Sequence, residues 1–244
     1  LLWTGITLAY ASLSRDGSAQ EDPAAISEEA ARQQKVMDRF LTVLEKNPRK
    51  STALDKVYGY HVENGSLDAL IKRYQERTEK DPKDGAAWMI LGLIEAERGR
   101  DAAAVAAFTQ AAETSKTALP AYYLGQSLVL IGQPDKAVEA FELAIARKPL
   151  ATDQLDVYRA LGRVHQRAQR TQEALDVWSR LEKLFPGDAR VQEQIAATLV
   201  EEGQTALALP RYETLIKITK DDYRKSVYRI EAAELKVKLN RGQE

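Results

Sequence analysis

The sequence predicts an all-α fold, an elongated α-solenoid of stacked helical hairpins. Three observations carry that expectation. Gly59, Gly92, Gly125 and Gly162 follow one another at 33, 33 and 37 residues, and Ala196 continues the series after 34. In a second series, Ala104, Ala137, Ala174 and Ala208 are each followed four residues later by Phe108, Phe141, Trp178 and Tyr212. Small residues at such positions let two helix backbones approach, and the aromatic one turn along fills the space beside them. The rest of the composition is dominated by helix formers, with glycine and proline falling at intervals.

Bulk properties narrow the function classes. The 244 residues carry a formal net charge of −1, with 44% hydrophobic and 29% charged residues, as an ordinary folded protein does. Near-neutrality removes any global attraction to nucleic acid or to an anionic membrane. There is no cysteine, which excludes disulfides, thiolate nucleophiles and cysteine–metal sites within these residues.

Taken in order, residues 1–20 differ from all that follows. LLWTGITLAYASL is an apolar run of thirteen residues, shorter than the ~20 a membrane span needs and close to the apolar region of a secretory signal. Gly17 and Ala19 are small residues at the spacing a signal peptidase prefers. The basic flank and initiator Met are missing, so the natural start is expected upstream of Leu1. The segment reads as the remnant of a signal peptide or of a membrane anchor, or else as an apolar helix packing on the array. An exported, periplasmic or cell-envelope location follows from the signal reading, and a cytoplasmic one from the last. Residues 21–50 hold a short acidic linker and a helix over 26–46, with Val36, Phe40, Val43 and Leu44 as its apolar stripe and Asn47-Pro48 as its stop.

The periodic region divides into units at about 52–84, 85–117, 118–154, 155–188 and 189–222. The clearest is 85–113, where Trp88, Leu91 and Gly92 share one face of a first helix and Ala104, Phe108 and Ala111 one face of a second. Gly99 marks the turn and Asp101 is the expected N-cap of the second helix. Pro210 falls about five residues into a second helix and predicts a bend or a shifted start. Residues 223–244 read as the first helix of a further, truncated repeat, with a polar capping helix as the alternative.

These patterns resemble the tetratricopeptide repeat, whose signature is W-x2-L-G-x2-Y, then A-x3-F, then P. Trp88-x2-Leu91-Gly92 with Ala104-x3-Phe108 matches it. So do Leu124-Gly125 with Ala137-x3-Phe141 and Pro149, and Tyr158-x2-Leu161-Gly162 with Ala174-x3-Trp178 and Pro186. The units at 52–84 and 189–222 are degenerate. Where the signature has tyrosine, this chain has Glu95, Leu128, His165 and Leu199. The resemblance implies a right-handed superhelix whose concave face binds protein or peptide partners. It says little about which partner.

No catalytic constellation is apparent. His61 and His165 lie in different units without a nucleophile or carboxylate motif, and no HExxH, GxSxG or phosphate-binding loop occurs. Asp81, Asp84, Asp221 and Asp222 sit at unit junctions, where helix capping is the natural role. The expectation is therefore a non-enzyme with no cofactor and no metal.

Binding is the more informative question. A stripe on each first helix, one residue out of phase with the packing face, lines the concave side in the family this chain resembles. It holds Met89, Ile90 and Leu93 in one unit and Tyr122, Tyr123, Gln126 and Val129 in the next. Apolar residues there exceed what a single hairpin needs, so they read as a peptide seat, or as contacts between units or with the N-terminal helix. One unit on, Arg159, Arg163 and Arg167 form a basic strip, with Asp156 beside it. The pattern predicts a partner segment with apolar side chains followed by carboxylates; the alternative is a solvated helix surface. The lysine and asparagine clamp by which some such repeats hold a chaperone's terminal carboxylate is missing, because Lys56 is followed by Tyr60 and the next unit offers Met89, Ile90 and Leu93. Nucleic acid fits poorly. The leading expectation is a protein–protein scaffold. An accessory domain of a larger enzyme or secretion component is the alternative, and self-association through the apolar stripe is a third.

Overall fold

The computed structural model describes the backbone of residues 23–241 and the side-chain surroundings of residues 31–240. The apolar run at 1–20, and with it the export-signal reading, lies outside the described residues. Within them are twelve α-helices and no strand, arranged as the expected solenoid. The helices are α1 Pro23–Lys46, α2 Thr52–Glu63, α3 Leu67–Lys80, α4 Gly85–Glu97, α5 Asp101–Thr114, α6 Ala118–Leu130, α7 Pro134–Ala146, α8 Ala151–Arg167, α9 Thr171–Leu184, α10 Ala189–Glu201, α11 Thr205–Ile218 and α12 Asp222–Arg241.

Local sequence explains the breaks between them. After α4 the backbone N–H of Gly99 bonds to Ala96 O and that of Arg100 to Glu95 O, the pairing that closes a helix through a left-handed residue. The same turn recurs after α2, α6, α8 and α10, with Gly65, Gly132, Gln169 and Gly203 at positive φ. Gln169 is the one of these five that carries a side chain. At helix starts, Asp84 Oδ1 accepts the Ala87 N–H at 2.8 Å, Asp188 Oδ1 that of Arg190 at 2.8 Å, and Asp221 Oδ1 that of Arg224 at 2.7 Å. Asp101 departs from expectation. Arg100 is the N-cap of α5, and Asp101 is its first helical residue, aiding the positive helix start by charge rather than by a cap bond.

The two periodic series meet as anticipated in the middle of the chain. A Cβ on Gly92 would lie 2.6 Å from the Phe108 ring, and Gly162 leaves similar room for Trp178. Phe108, Phe141 and Trp178 are all buried there. Gly59 does not share this role, for nothing lies within 4 Å of where its Cβ would be. The first unit is built differently. α2 packs mainly on α1 and meets α3 only briefly, while Tyr74 of α3 is buried with its hydroxyl donating to Glu45 of α1 at 3.0 Å. α1 is therefore part of the array rather than a leader to it. Among its described side chains, Leu41 and Leu44 are buried; Val36 and Val43, expected in the apolar stripe, are exposed.

Two large apolar clusters result, with a small third made of Ala118, Ala121, Ala144 and Val157 from α6, α7 and α8. One joins α1 to α6 through Leu44, Leu54, Tyr74, Ile90, Leu93 and Phe108, and the other runs from α6 to α12 through Phe141, Leu161, Trp178, Ile195 and Tyr228. Tyr122 and Leu124 of α6 touch both, so α6 is the splice between the two halves. α11 runs through Pro210 with no shifted start, since it begins directly after Gln204 as α5 begins directly after Arg100. Pro210 and Ala206, whose carbonyl loses its helical partner, are both exposed, so water can satisfy that group.

Candidate binding face

The first helices α4, α6, α8 and α10 stand side by side and form one face of the array. Most of the stripe read from the sequence lies on it, though with very different accessibility. Met89, Ile90 and Leu93 are buried, packed in the cluster that includes Leu41 and Leu44 of α1 and Leu54 and Val57 of α2. The reason is physical: α1 and α2 lie across α4, and this apolar patch is what they cover. Ile90 and Leu93 are unavailable to a partner while α1 stays in place, and Met89 shows only an edge.

Tyr122 and Tyr123 form an aromatic cluster rather than an open seat. The Tyr123 ring stacks on Phe108 with centroids 5.7 Å apart, Tyr122 lies 5.4 Å from Tyr123, and Tyr122 reaches Phe141 at 6.0 Å. Burial pushes both hydroxyls above the ordinary phenol range; for Tyr123 the Lys50 N–H and nearby Arg49 work against that shift. The Tyr122 hydroxyl accepts from Gln126 Nε2 at 2.8 Å.

The basic strip is satisfied across the unit boundary. Arg159 donates to Gln194 of α10 at 3.2 Å, Arg163 pairs with Glu201 and, at 3.1 Å, with Glu202, and Arg167 Nε donates to Glu202 at 3.1 Å. Each arginine reaches a residue about one repeat further on, so the strip links α8 to α10. Arg167 keeps 58% of its side chain exposed, and Asp156, one turn before Arg159 on the helix, is exposed as well.

Sequence reasoning did not anticipate the connection between α1 and α2, residues 47–51, which crosses this face. The Lys50 N–H donates to Tyr123 Oη at 3.0 Å, Arg49 pairs with Asp153 of α8 at 2.7 Å, and Lys50 Nζ lies 3.3 Å from Glu97 of α4. The hydrogen bond that Arg49 donates to Asp153 holds the guanidinium above its ordinary pKa. Asp153 is only 5% exposed. A signal for it was present in the chain. α4, α6 and α10 each begin seven residues before their small residue, whereas α8 begins eleven before Gly162. The 37-residue spacing is therefore one extra helical turn at the start of α8, and Asp153 lies in that turn.

Two clefts flank the connection. One, of about 390 Å³, is lined by Lys50, Tyr123, Gln126, Val129, Arg163 and Arg167 among others, and Leu130 at its edge is 69% exposed. The other, of about 610 Å³, lies toward the helix starts, between residues 46–48, Met89 and the loops before α6 and α8. His61 Nδ1 lies 2.7 Å from Ser66 Oγ, and His165 is buried; burial lowers the pKa of both. Among the described residues no three His, Cys, Asp or Glu side chains are grouped to hold a metal ion, and no helix is long and apolar enough to cross a membrane.

Comparison with known proteins agrees with this geometry. Residues 60–120 match the tetratricopeptide repeat family model. Among solved structures, MamA is similar at 20% identity over 70% of this chain and 98% of its own, with a TM-score of 0.53. YrrB, described as a TPR protein with an unusual peptide-binding site, is similar at 19% identity over 81% of this chain and 97% of its own, with a TM-score of 0.50. A tetratricopeptide repeat protein from Parabacteroides merdae is 15% identical over 77% of this chain and 72% of its own, with a TM-score of 0.55. No curated protein matches the chain. Residues 60–120 thus match tetratricopeptide repeats, and the described residues are folded as a solenoid like those of these structures.

Proposed function

We propose that this protein is a non-catalytic scaffold that binds a segment of a protein partner on the face of α4, α6, α8 and α10. Its fold is consistent with protein interaction, and tetratricopeptide repeat proteins bind proteins or peptides. The observation that carries the reading is the open cleft beside residues 47–51. Val129, Leu130, Ala160 and Val164 give it an apolar wall, while Lys50, Arg163 and Arg167 give it cations. A segment with an apolar side chain followed by a carboxylate fits. The side chain enters against Val129, and the carboxylate takes the place of Glu201 or Glu202 on the arginines. Such exchange costs least at Arg167 and Glu201, whose side chains are more than half exposed, because exposed ion pairs contribute only ~0–1 kcal/mol.

Screening the purified chain against a displayed random-peptide library tests this directly. The reading expects enrichment of apolar–acidic motifs, lost in an Arg163→Ala/Arg167→Ala variant. Selected peptides that bind both proteins equally, or no enrichment at all, would refute it. An exported or envelope location rests on the apolar run of residues 1–13 with Gly17 and Ala19 behind it, and a reporter fused after residue 25 would test it by its compartment.

A further inference from the structure

We propose that the α1–α2 connection is a displaceable internal ligand, and that Glu97, Tyr123 and Asp153, which hold it, form a docking site for an extended basic segment. This goes beyond the arginine cleft: it concerns acceptors of opposite charge on the other side of Lys50, and its test does not depend on any partner of that cleft.

The connection is held as a bound peptide would be. α1 stops at Lys46, Pro48 bars the residue before it from helix, and Ser51 is fully extended at φ −169° and ψ 165° before α2 begins. One main-chain N–H and two neighbouring side chains make the contacts, and the three receptors come from three different helices. Tyr123 lies 73 residues from Lys50, and Asp153 lies 104 from Arg49. None of the three contacts is part of the packing that builds a hairpin.

The receptor side is specialised. Asp153 occupies the helical turn that α8 has and α4, α6 and α10 lack. A carboxylate this buried is costly without a cation, and the cation it meets is Arg49. The ligand side is lightly held. Lys50 is exposed, Arg49 is half-buried, and open clefts of about 390 and 610 Å³ lie to either side. Residues 47–51 can therefore leave without opening the apolar core. Their departure bares two carboxylates and a tyrosine hydroxyl, with exposed Asp156 one turn along α8. That set selects an incoming chain with adjacent arginine and lysine and a free backbone N–H. It also joins the two clefts into one groove. While in place, the tethered segment competes at high local concentration and lowers the apparent affinity of any outside ligand by the fraction of molecules that are closed.

The test uses the full chain and a labelled synthetic peptide of residues 46–52, KNPRKST, read by fluorescence anisotropy at low salt. Arg49→Glu repels the internal segment from Asp153, so this variant binds the peptide about tenfold more tightly than the parent does. Adding Asp153→Arg restores an internal pair of reversed polarity and abolishes peptide binding. Equal affinity for parent and Arg49→Glu, or binding to neither, overturns the proposal. A variant that keeps the core intact gives an independent reading. Tyr123→Phe leaves the ring and removes the acceptor, so the Lys50 amide exchanges with deuterium about tenfold faster while α6 amides are unchanged. An unchanged Lys50 rate also overturns it.

Discussion

A Cβ on Gly125 would lie 2.5 Å from the Phe141 ring, so the repeat's small residue is required by its partner aromatic and not by its own backbone. In an open helix, Gly→Ala stabilises by about 1 kcal/mol. At Gly125 the sign reverses, since the added Cβ would overlap the ring of the buried Phe141. Gly125→Ala is expected to lower the urea midpoint, and Gly59→Ala, with open space around it, to raise the midpoint through a stability gain of up to about 1 kcal/mol. Equal effects at both sites would show that the two glycines are equivalent after all.

The aromatic side of the same contact should matter more. Phe141→Ala or Trp178→Ala removes a buried ring from between the two helices of its unit and is expected to cost ~3–5 kcal/mol. Because each repeat is stabilised by its neighbours, the loss should split the unfolding transition rather than only shift it. Hydrogen exchange resolved along the chain would show α1–α5 retaining protection when α7–α12 have lost it.

Gln169 holds φ 57° in a turn where the equivalent residues after α2, α4, α6 and α10 are glycines. Gln169→Gly relieves the left-handed strain at the expense of a more flexible unfolded chain, for a net gain of roughly 0.5–1 kcal/mol. Thermal melts of the two proteins decide it, and a lower midpoint for the variant would count against the strain argument.

Asp84 gives a pH signature. Burial works to raise its pKa, but the Ala87 N–H and Arg77 outweigh it and hold the carboxyl below the usual value. A depressed carboxylate contributes fully above its unfolded pKa, and its contribution is lost as pH falls through the folded one. Asp84→Asn should therefore flatten the loss of stability below about pH 4 while keeping much of the cap. Asp84→Ala should cost about 1 kcal/mol at neutral pH. Stability curves measured from pH 7 downward test both statements.

The arginine ladder between α8 and α10 is expected to contribute little by itself. A double-mutant cycle on Arg163 and Glu201 should return a coupling of ~0–1 kcal/mol, as for other partly exposed pairs. A much larger value would make the strip a structural strut and remove it as a binding surface.

The hairpins were legible because their causes are local. Gly92 with Phe108 and Gly162 with Trp178 lie within one unit, and the helix stops and starts are written in adjacent residues such as Gly99 and Asp84. The binding face was legible only in part. Arg163 and Arg167 do border an open cleft, but nothing near Ile90 and Leu93 in sequence announces that α1 and α2 cover them. Gly59 fits the series in sequence yet has no aromatic packed against it, and Asp101 lies one residue inside the helix it was expected to cap.

By itself, then, the sequence determined an all-α array, its period, its turns and the residues that seat one helix on the next, because periodic burial and capping act over a few residues. Tertiary structure decided which parts of the array's face remain open. That depends on where α1 lies and on the Arg49–Asp153 pair, which joins residues 104 apart through a helical turn that the sequence showed only as a longer spacing.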